Sequence, residues 1–432
     1  MKLITPRKPQ GFWELMPEEE IVFENMLSKI RKVFENNCFM PLDTPVAEYS
    51  EILLAKSGGE VDKEIYRFQK GNNDLCLRYD LTVPLARFVA MNENVLEFPF
   101  KRYQVGKVYR GERPQKGRFR EFYQCDADIV GENLSITTDA ECIKLYEDTL
   151  GALNLNCHVK ISNRKILAGF FEGIGAKNVS NLMIIYDKIA KLSEEEIANM
   201  FIASGLTVAQ VDQTFLLAKQ NGDLEAIIAK VEKLSDNPTF LEGISDLKAL
   251  NERLKYLKMD KKNYSFDLSI VRGHNYYTGT VFEAFIENSN LAIGGGGRYD
   301  NLCGNFTERK FQGVGMSIGI TRLFDEIKDK FKTDENLVTQ VGIVAFDETM
   351  LFALSLMTDL RNANIRADII GEGKSFKAKM KEANRRKLPY IIVLGEDEMK
   401  EKRYTIKDMR SSAQEKLSFD EIVKKLNEVF YG

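Results

Sequence analysis

Three rhythms of apolar and polar positions divide this chain. Residues 18–36, EEEIVFENMLSKIRKVFEN, set apolar side chains at helical spacing behind an acidic first turn, which predicts an amphipathic helix. The run FMPLDTPVAEY reads as a short strand, and its Pro41 and Pro45 predict an edge or interface-facing position because proline cannot donate to a ladder. EIYRFQK and LCLRYDLTVPLARFVA read as a strand pair leading into a helix, with Asp80 and Thr82 at the end of the second strand. RYQVGKVYR and REFYQCDADIVG then predict an antiparallel hairpin whose turn is marked by Pro114 and Gly117. A helix, TTDAECIKLYEDTLGAL, and a strand, NCHVKIS, follow.

From residue 172 to 262 the pattern is nearly all helical, with breaks at GIGAK, SGLT and SDNP. Strand-rich sequence stands on both sides, so this stretch reads as an inserted module between 1–171 and 263–334. On resumption, YSFDLSIVRGHNYYTGTVFEAFIE suggests a long hairpin bent at Gly273. GGGGRYDNL and FQGVGMSIGITRLFDEIKD predict glycine-rich strands and a helix starting near Thr321. A boundary falls at about 332–340. Residues 338–432 then alternate strand with helix, the signature of a small α/β domain with a mostly parallel or mixed sheet.

Composition narrows the class. The formal net charge is −3 over 432 residues, so RNA contact would have to come from local basic patches. No run of eighteen apolar residues occurs, and MKLITPRKPQ lacks the apolar centre of a signal peptide. Six scattered cysteines without a CxxC pair argue against zinc and a disulfide framework, and the expected location is cytoplasmic. With only His158 and His274 present, histidine-based metal sites and triads are disfavoured.

The charge that matters is concentrated. Between Lys101 and Arg120 stand Lys101, Arg102, Lys107, Arg110, Arg113, Lys116, Arg118 and Arg120 against a single acid, Glu112. Guanidinium forks hold phosphate through paired charge-assisted hydrogen bonds, so the hairpin tip is a candidate polyphosphate site, with a solvated charge run as the competitor. Gln124 and Asp128, four apart on the second strand, share a face. With Asp80 and Thr82 they could receive a substrate ammonium, since buried acids need a cation. Arg272 adjoins a glycine bend; alternation sends Tyr276 and Tyr277 to opposite faces, so at most one phenol joins its site. The GGGGR run ending at Arg298 lacks P-loop or dinucleotide spacing, and its glycines suit close approach of a ligand or backbone. Arg322, near a helix start, is a second phosphate candidate. Lys374, Lys377, Lys379, Lys381, Arg385, Arg386 and Lys387 with only Glu382 form a basic helix suited to an RNA backbone or to solvent.

In order along the chain, LRYDLTVPLARF, YRGERPQKGRFREFYQCDADIVG, SIVRGHNYYTG, GGGGRYDNL, GVGMSIGITRL and LPYIIVLGEDEMKEKRYTIKDM resemble the motifs of the class II aminoacyl-tRNA synthetases, specifically the histidyl-tRNA synthetase family. The resemblance covers nearly the whole chain. It implies an α+β fold: an antiparallel class II sheet flanked by helices, an inserted helical domain and a C-terminal α/β anticodon-binding domain. It implies a homodimer, with the first helix and the strand ending at Pro45 as the dimer-forming motif. It also implies ATP-dependent activation of L-histidine, with Mg²⁺, to an adenylate and transfer to the 3′ end of tRNA(His).

Carried over by motif, Asp80, Leu81, Thr82 and Gln124 match positions at the histidine ammonium, and Asp128, Tyr276 and Tyr277 positions around the imidazole. Arg110, Glu112, Arg118 and Arg322 match ATP-binding positions, with Arg110 at the α-phosphate and Arg322 at the γ-phosphate. Arg272 matches the arginine bridging the histidine carboxylate and the α-phosphate. Arg113 to Arg118 resembles the loop that meets the tRNA acceptor end. No metal ligand is identified. The family has Leu-Asp before its tyrosine pair, where this chain has His274-Asn275. Two other classes compete: a synthetase paralogue that senses histidine for regulation of its biosynthesis, and an RNA-binding module without ligase activity.

Overall fold

The computed structural model describes residues 3–55, 64–113, 117–272, 276–287, 289, 291–331 and 338–431. Expectations placed on Pro114, Lys116, Gly273, His274, Asn275 and 332–337 lie outside the described residues. The chain separates into two units, Met1–Leu15 with Phe23–Ile327 and Met16–Val22 with Lys328–Gly432.

The first unit carries β1 (Met40–Pro41), β2 (Ala47–Tyr49), β3 (Arg67–Lys70), β4 (Asn73–Leu77), β5 (Phe100–Tyr109) and β6 (Glu121–Gly131). These are followed by β7 (Cys157–Asn163), β8 (Asn221–Gly222), β9 (Tyr264–Asp267), β10 (Thr280–Ile286), β11 (Gly294–Tyr299) and β12 (Gln312–Gly319). Nine of them form one sheet in the order β1-β5-β6-β12-β11-β10-β7-β9-β8, and β2-β4-β3 form a small second sheet. The large sheet is antiparallel except where β1 meets β5 and β7 meets β9. Pro41 lies on its edge strand, where a missing donor costs least. β5 and β6 are the expected hairpin, paired from Phe100↔Val130 to Tyr109↔Glu121.

Sequence 264–286 is not a hairpin. β9 and β10 flank β7 on opposite sides, the one parallel to it and the other antiparallel. Local alternation identified both strands, but their partner comes from about a hundred residues earlier. Between β7 and β9 the chain is mostly helical, from Arg164–Gly173 to Pro238–Tyr256, yet it also supplies β8 to the edge of the large sheet beside β9.

In the second unit β13 (Val341–Ala345), β14 (Ala367–Ile369), β15 (Tyr390–Leu394), β16 (Arg403–Asp408) and β17 (Gln414–Ser418) form a mixed sheet, order β14-β13-β15-β16-β17. β14, β13 and β15 run parallel, and β16 and β17 are antiparallel. Ile343, Ile392, Leu356, Leu360, Ile422 and Leu426 close its core between sheet and helices. Among the described residues no helix is long and apolar enough to cross a membrane.

Candidate active site

Strand register builds one face of the large sheet into a site. Cross-strand partners share a face, and one row runs Arg102 on β5, Asp128 on β6, Gly315 on β12, Gly297 on β11. The next row runs Gln104, Asp126, Ser317, Gly295 and Glu283 on β10. The glycines give the space that larger side chains claim. A β-carbon at Gly315 would lie 2.0 Å from Asp128 Oδ1, one at Gly295 2.6 Å from Arg272 Nη1, and one at Gly297 2.8 Å from the Tyr277 ring. The close approach expected of the glycine run is therefore made by side chains of the chain itself. Arg298, which ends the run, is buried and bonded to Asp139, so it is not offered to an anion.

Over this face lies a cavity of about 330 Å³ lined by Asp80, Thr82, Arg110, Glu112, Arg118, Gln124, Asp126, Asp128, Arg272, Tyr276, Tyr277, Glu283, Ser317 and Arg322, among others. Residues from five separate stretches of sequence thus converge. Leu81 is buried beside them and takes part through its backbone, its carbonyl accepting from Arg102 Nη2 at 3.0 Å.

One end of the cavity is acidic. Asp80 Oδ1 accepts from the Val83 N–H at 3.1 Å, at the start of the helix Thr82–Met91, while Oδ2 is buried without a partner among the described residues. Gln124 donates to Ser317 Oγ at 2.9 Å, and its Oε1 and Asp126 Oδ1 are likewise buried and unpartnered. Burial pushes the Asp80 carboxyl up to about 6 against the opposing Val83 hydrogen bond and Arg110 charge. Burial also raises Asp126 to about 7, opposed by Arg102 and reinforced by Asp128. Unpaired buried acceptors and acids reluctant to ionise describe a pocket awaiting a cation with N–H donors.

The other end is basic. Arg322, on the helix Ile320–Ile327, donates to Gly117 O at 3.0 Å and Ala292 O at 2.8 Å. Its guanidinium pKa is lowered by burial and then by the like charges of Arg118 and Arg110. Three mutually repelling guanidiniums on one cavity wall are the electrostatic form of a polyphosphate site. Arg110 stacks over the Phe122 ring and donates to Tyr79 O at 3.1 Å, and Arg118 pairs with Glu112 at 3.1 Å. Trp13 and Phe23 pack on Phe324, and Tyr123 N–H donates to Thr321 Oγ1 at 2.8 Å, so the helix bearing Arg322 is tied to β6.

Between the two ends, Arg272 donates from Nη1 to Glu283 Oε1 at 2.9 Å. Its φ of 61° is a left-handed backbone that a β-carbon disfavours, a strain found where geometry serves a site.

Three expectations need correction. Tyr276 and Tyr277 both line the cavity, with ring centroids 4.6 Å apart. Alternation fails there because β10 begins only at Thr280. Arg102 does not belong to the cationic tip: it is fully buried on β5 and paired with Asp128 beneath the cavity. Lys101 and Lys107 are paired with Glu141 and Glu121. In the second unit Lys379 is buried and donates to Ala345 O, while Lys374 and Arg386 pair with Glu382 and Asp368. The basic helix Phe376–Arg385 thus offers Lys377, Lys381 and Arg385, not the whole run.

Sequence reading missed Asp126, Tyr299, Ser317 and Glu283. Asp126 was within reach, since alternation places it on the face of Gln124 and Asp128. Tyr299 donates to Asp128 Oδ1 at 2.7 Å, a contact across 171 residues that no local pattern signals. Among the described residues no cluster of three or more His, Cys, Asp or Glu is placed to hold a metal ion.

A family model described as "Histidyl-tRNA synthetase" matches residues 11–323. The chain belongs to the histidyl-tRNA synthetase family. A second model, "Anticodon binding domain", matches residues 340–429. Among curated relatives, a histidine–tRNA ligase of Clostridium tetani is 41% identical over 98% of both chains, and one of Clostridium acetobutylicum 42% identical over 97% of this chain and 99% of its own. A crystal structure of histidyl-tRNA synthetase from Nostoc superposes with a TM-score of 0.87 at 30% identity, covering 99% of this chain and all of that one. For a histidyl-tRNA synthetase the large antiparallel sheet and the flanking helices are the fold expected of class II.

Proposed function

We infer that this chain is a histidine–tRNA ligase, which activates L-histidine with ATP and transfers it to tRNA(His). The observation that carries the site reading is the convergence, on one cavity, of unpartnered buried acceptors, a central Arg272 and a like-charged arginine group. Asp80, the backbone at Leu81, Thr82 and Gln124 receive the histidine ammonium. Asp128 and Tyr277, with Tyr276 beside them, read the imidazole, and a ligand lacking ring N–H groups leaves these polar groups unsatisfied. Arg110 holds the α-phosphate and Arg322 the γ-phosphate, with Arg118 and its partner Glu112 framing the nucleotide.

In the first step a histidine carboxylate oxygen attacks the α-phosphorus, the bond to the β-phosphate bridging oxygen breaks, and diphosphate leaves. Arg272 and Arg110 stabilise the charge that builds at phosphorus, and no protein nucleophile or base is needed. In the second step the terminal ribose hydroxyl of the tRNA attacks the carbonyl carbon and AMP departs. Mg²⁺ arrives bound to the triphosphate, where it offsets phosphate charge; Glu112 and Glu283 are the cavity carboxylates suited to it.

The segment 338–432 binds the anticodon, 172–262 is the inserted module, and the protein works in the cytoplasm as a homodimer. The dimer reading is supported by Met40, Val46 and Tyr49, exposed apolar residues in the short strands after the first helix. The histidine-sensing alternative is not favoured, because Arg110, Arg272 and Arg322 all line the cavity and the anticodon-domain match is present.

Histidine-dependent ATP–pyrophosphate exchange by the purified chain tests this function. Exchange absent with histidine, or equal with other amino acids, overturns it. Light scattering that finds only monomer at micromolar concentration overturns the dimer.

A further inference from the structure

Ser317 links two residues of the acidic end into a directed chain. It is the β12 partner of Asp126. Its Oγ accepts from Gln124 Nε2 at 2.9 Å, and the same hydroxyl is hydrogen-bonded to the Asp126 carboxylate. A hydroxyl has one hydrogen and an ionised carboxylate can only accept. Ser317 therefore donates to Asp126 and offers a lone pair to Gln124, which must present its NH₂ to Ser317. The amide is left one orientation, with Oε1 turned away from Ser317, buried and unpartnered among the described residues. A reversed amide would set its carbonyl against the serine oxygen and aim N–H donors at an arriving ammonium.

We propose that Asp126 is a positioning residue of the amino-acid subsite, holding the Gln124 amide through Ser317 so that its carbonyl faces the substrate ammonium. This rests on reading the cavity as a histidine-activating site. Arg102 on β5, Asp128 on β6, Asp80 and Arg78 after β4, Tyr277 before β10 and Tyr146 on the helix Ile136–Ala152 are the charged and titratable groups around Asp126. Burial, with Asp128 adding and Arg102 opposing, lifts its carboxyl to about 7. Once protonated, Asp126 can donate to Ser317, and the constraint on Gln124 is released.

The experiment is pyrophosphate exchange by the full chain, with KM for histidine and for ATP measured from pH 6 to 9 in the wild type, Asp126→Asn, Ser317→Ala and the double variant. The substrate's own titration is common to all four and cancels in the ratios. Asp126→Asn is expected to raise KM for histidine about tenfold at pH 8, the scale of one charge-assisted hydrogen bond, with KM for ATP within about twofold. The wild-type to variant ratio should shrink as pH falls below 7. Ser317→Ala should do the same, and the double variant should be no worse than either, as members of one chain are non-additive. Should Asp126→Asn fail to fold, Ser317→Ala carries the test, because it deletes only a hydroxyl. A KM for histidine that tracks the wild type at every pH, or equal losses for histidine and ATP, overturns the positioning role alone. No exchange by the wild type overturns the site reading and this inference with it.

Discussion

Arg102 and Asp128 stand opposite each other on β5 and β6, with Nη2 2.7 Å from Oδ2 and both side chains sealed from solvent. Tyr299 donates to the second carboxylate oxygen at 2.7 Å. Burial raises the Asp128 pKa, and Arg102 and the Tyr299 hydrogen bond pull it back. Taking away one partner of a buried pair strands the other, at roughly 3–5 kcal/mol. Arg102→Leu should therefore lower unfolding stability by about that amount at pH 8, read from urea denaturation. A midpoint matching the wild type would mean that Asp128 is neutral in the folded state.

Gly295 lies where Arg272 crosses the sheet. A methyl there meets the guanidinium at 2.6 Å and the Phe282 carbonyl at 2.8 Å. The side chain can shift but the backbone cannot, so Gly295→Ala should misplace Arg272. Exchange activity should drop about a hundredfold, as expected for an ångström-scale misplacement. Undiminished kcat/KM would remove Arg272 from the reacting centre.

Arg272 itself gives the sharper kinetic signature. Its guanidinium is expected to act mainly on charge that develops at phosphorus, so Arg272→Ala should cut kcat for exchange by about 10²–10³. Glu283→Gln weakens only its tether and should cost less. An effect of Arg272→Ala confined to KM for histidine would assign it to ground-state binding instead.

Asp80 links stability to pH. Its folded-state carboxyl titrates at about 6, above the ordinary 3.8 that an unfolded chain would show. Between these values the folded protein binds more protons than the unfolded one, so this residue's contribution to stability falls as pH rises from about 4 to 6. The deficit is then fully present at pH 7 and above, on the order of 2–3 kcal/mol. Asp80→Asn should raise the melting temperature of the ligand-free protein at pH 8 and lose histidine affinity. A lower melting temperature at that pH would contradict burial as the dominant influence on Asp80.

On the helix Phe376–Arg385, Lys377 and Arg385 are exposed whereas Lys379 is buried. Lys377→Glu with Arg385→Glu should weaken tRNA binding and flatten its salt dependence by roughly two charges. Lys379→Ala should act through stability, lowering the melting temperature. Unchanged tRNA affinity after both charge reversals would exclude this helix from the RNA surface.

Much of this protein follows from local pattern. Period-two alternation between Phe100 and Gly131 specifies the hairpin and sets Gln124 and Asp128 on one face, and helical spacing specifies the helix Pro17–Asn36. Ordered motifs along the chain identify the family, because each is contiguous in sequence. Tertiary structure alone decided which charges are for substrate. Arg102 and Arg110 look alike in a run of bases, yet one points into the core and the other lines the cavity. Lys379 and Lys377 differ in the same way on a helix. The reason is that burial and pairing depend on partners from distant segments: Asp128 meets Tyr299, and Gln124 meets Ser317. A charged side chain's desolvation is a property of everything packed around it, and no window of sequence contains that.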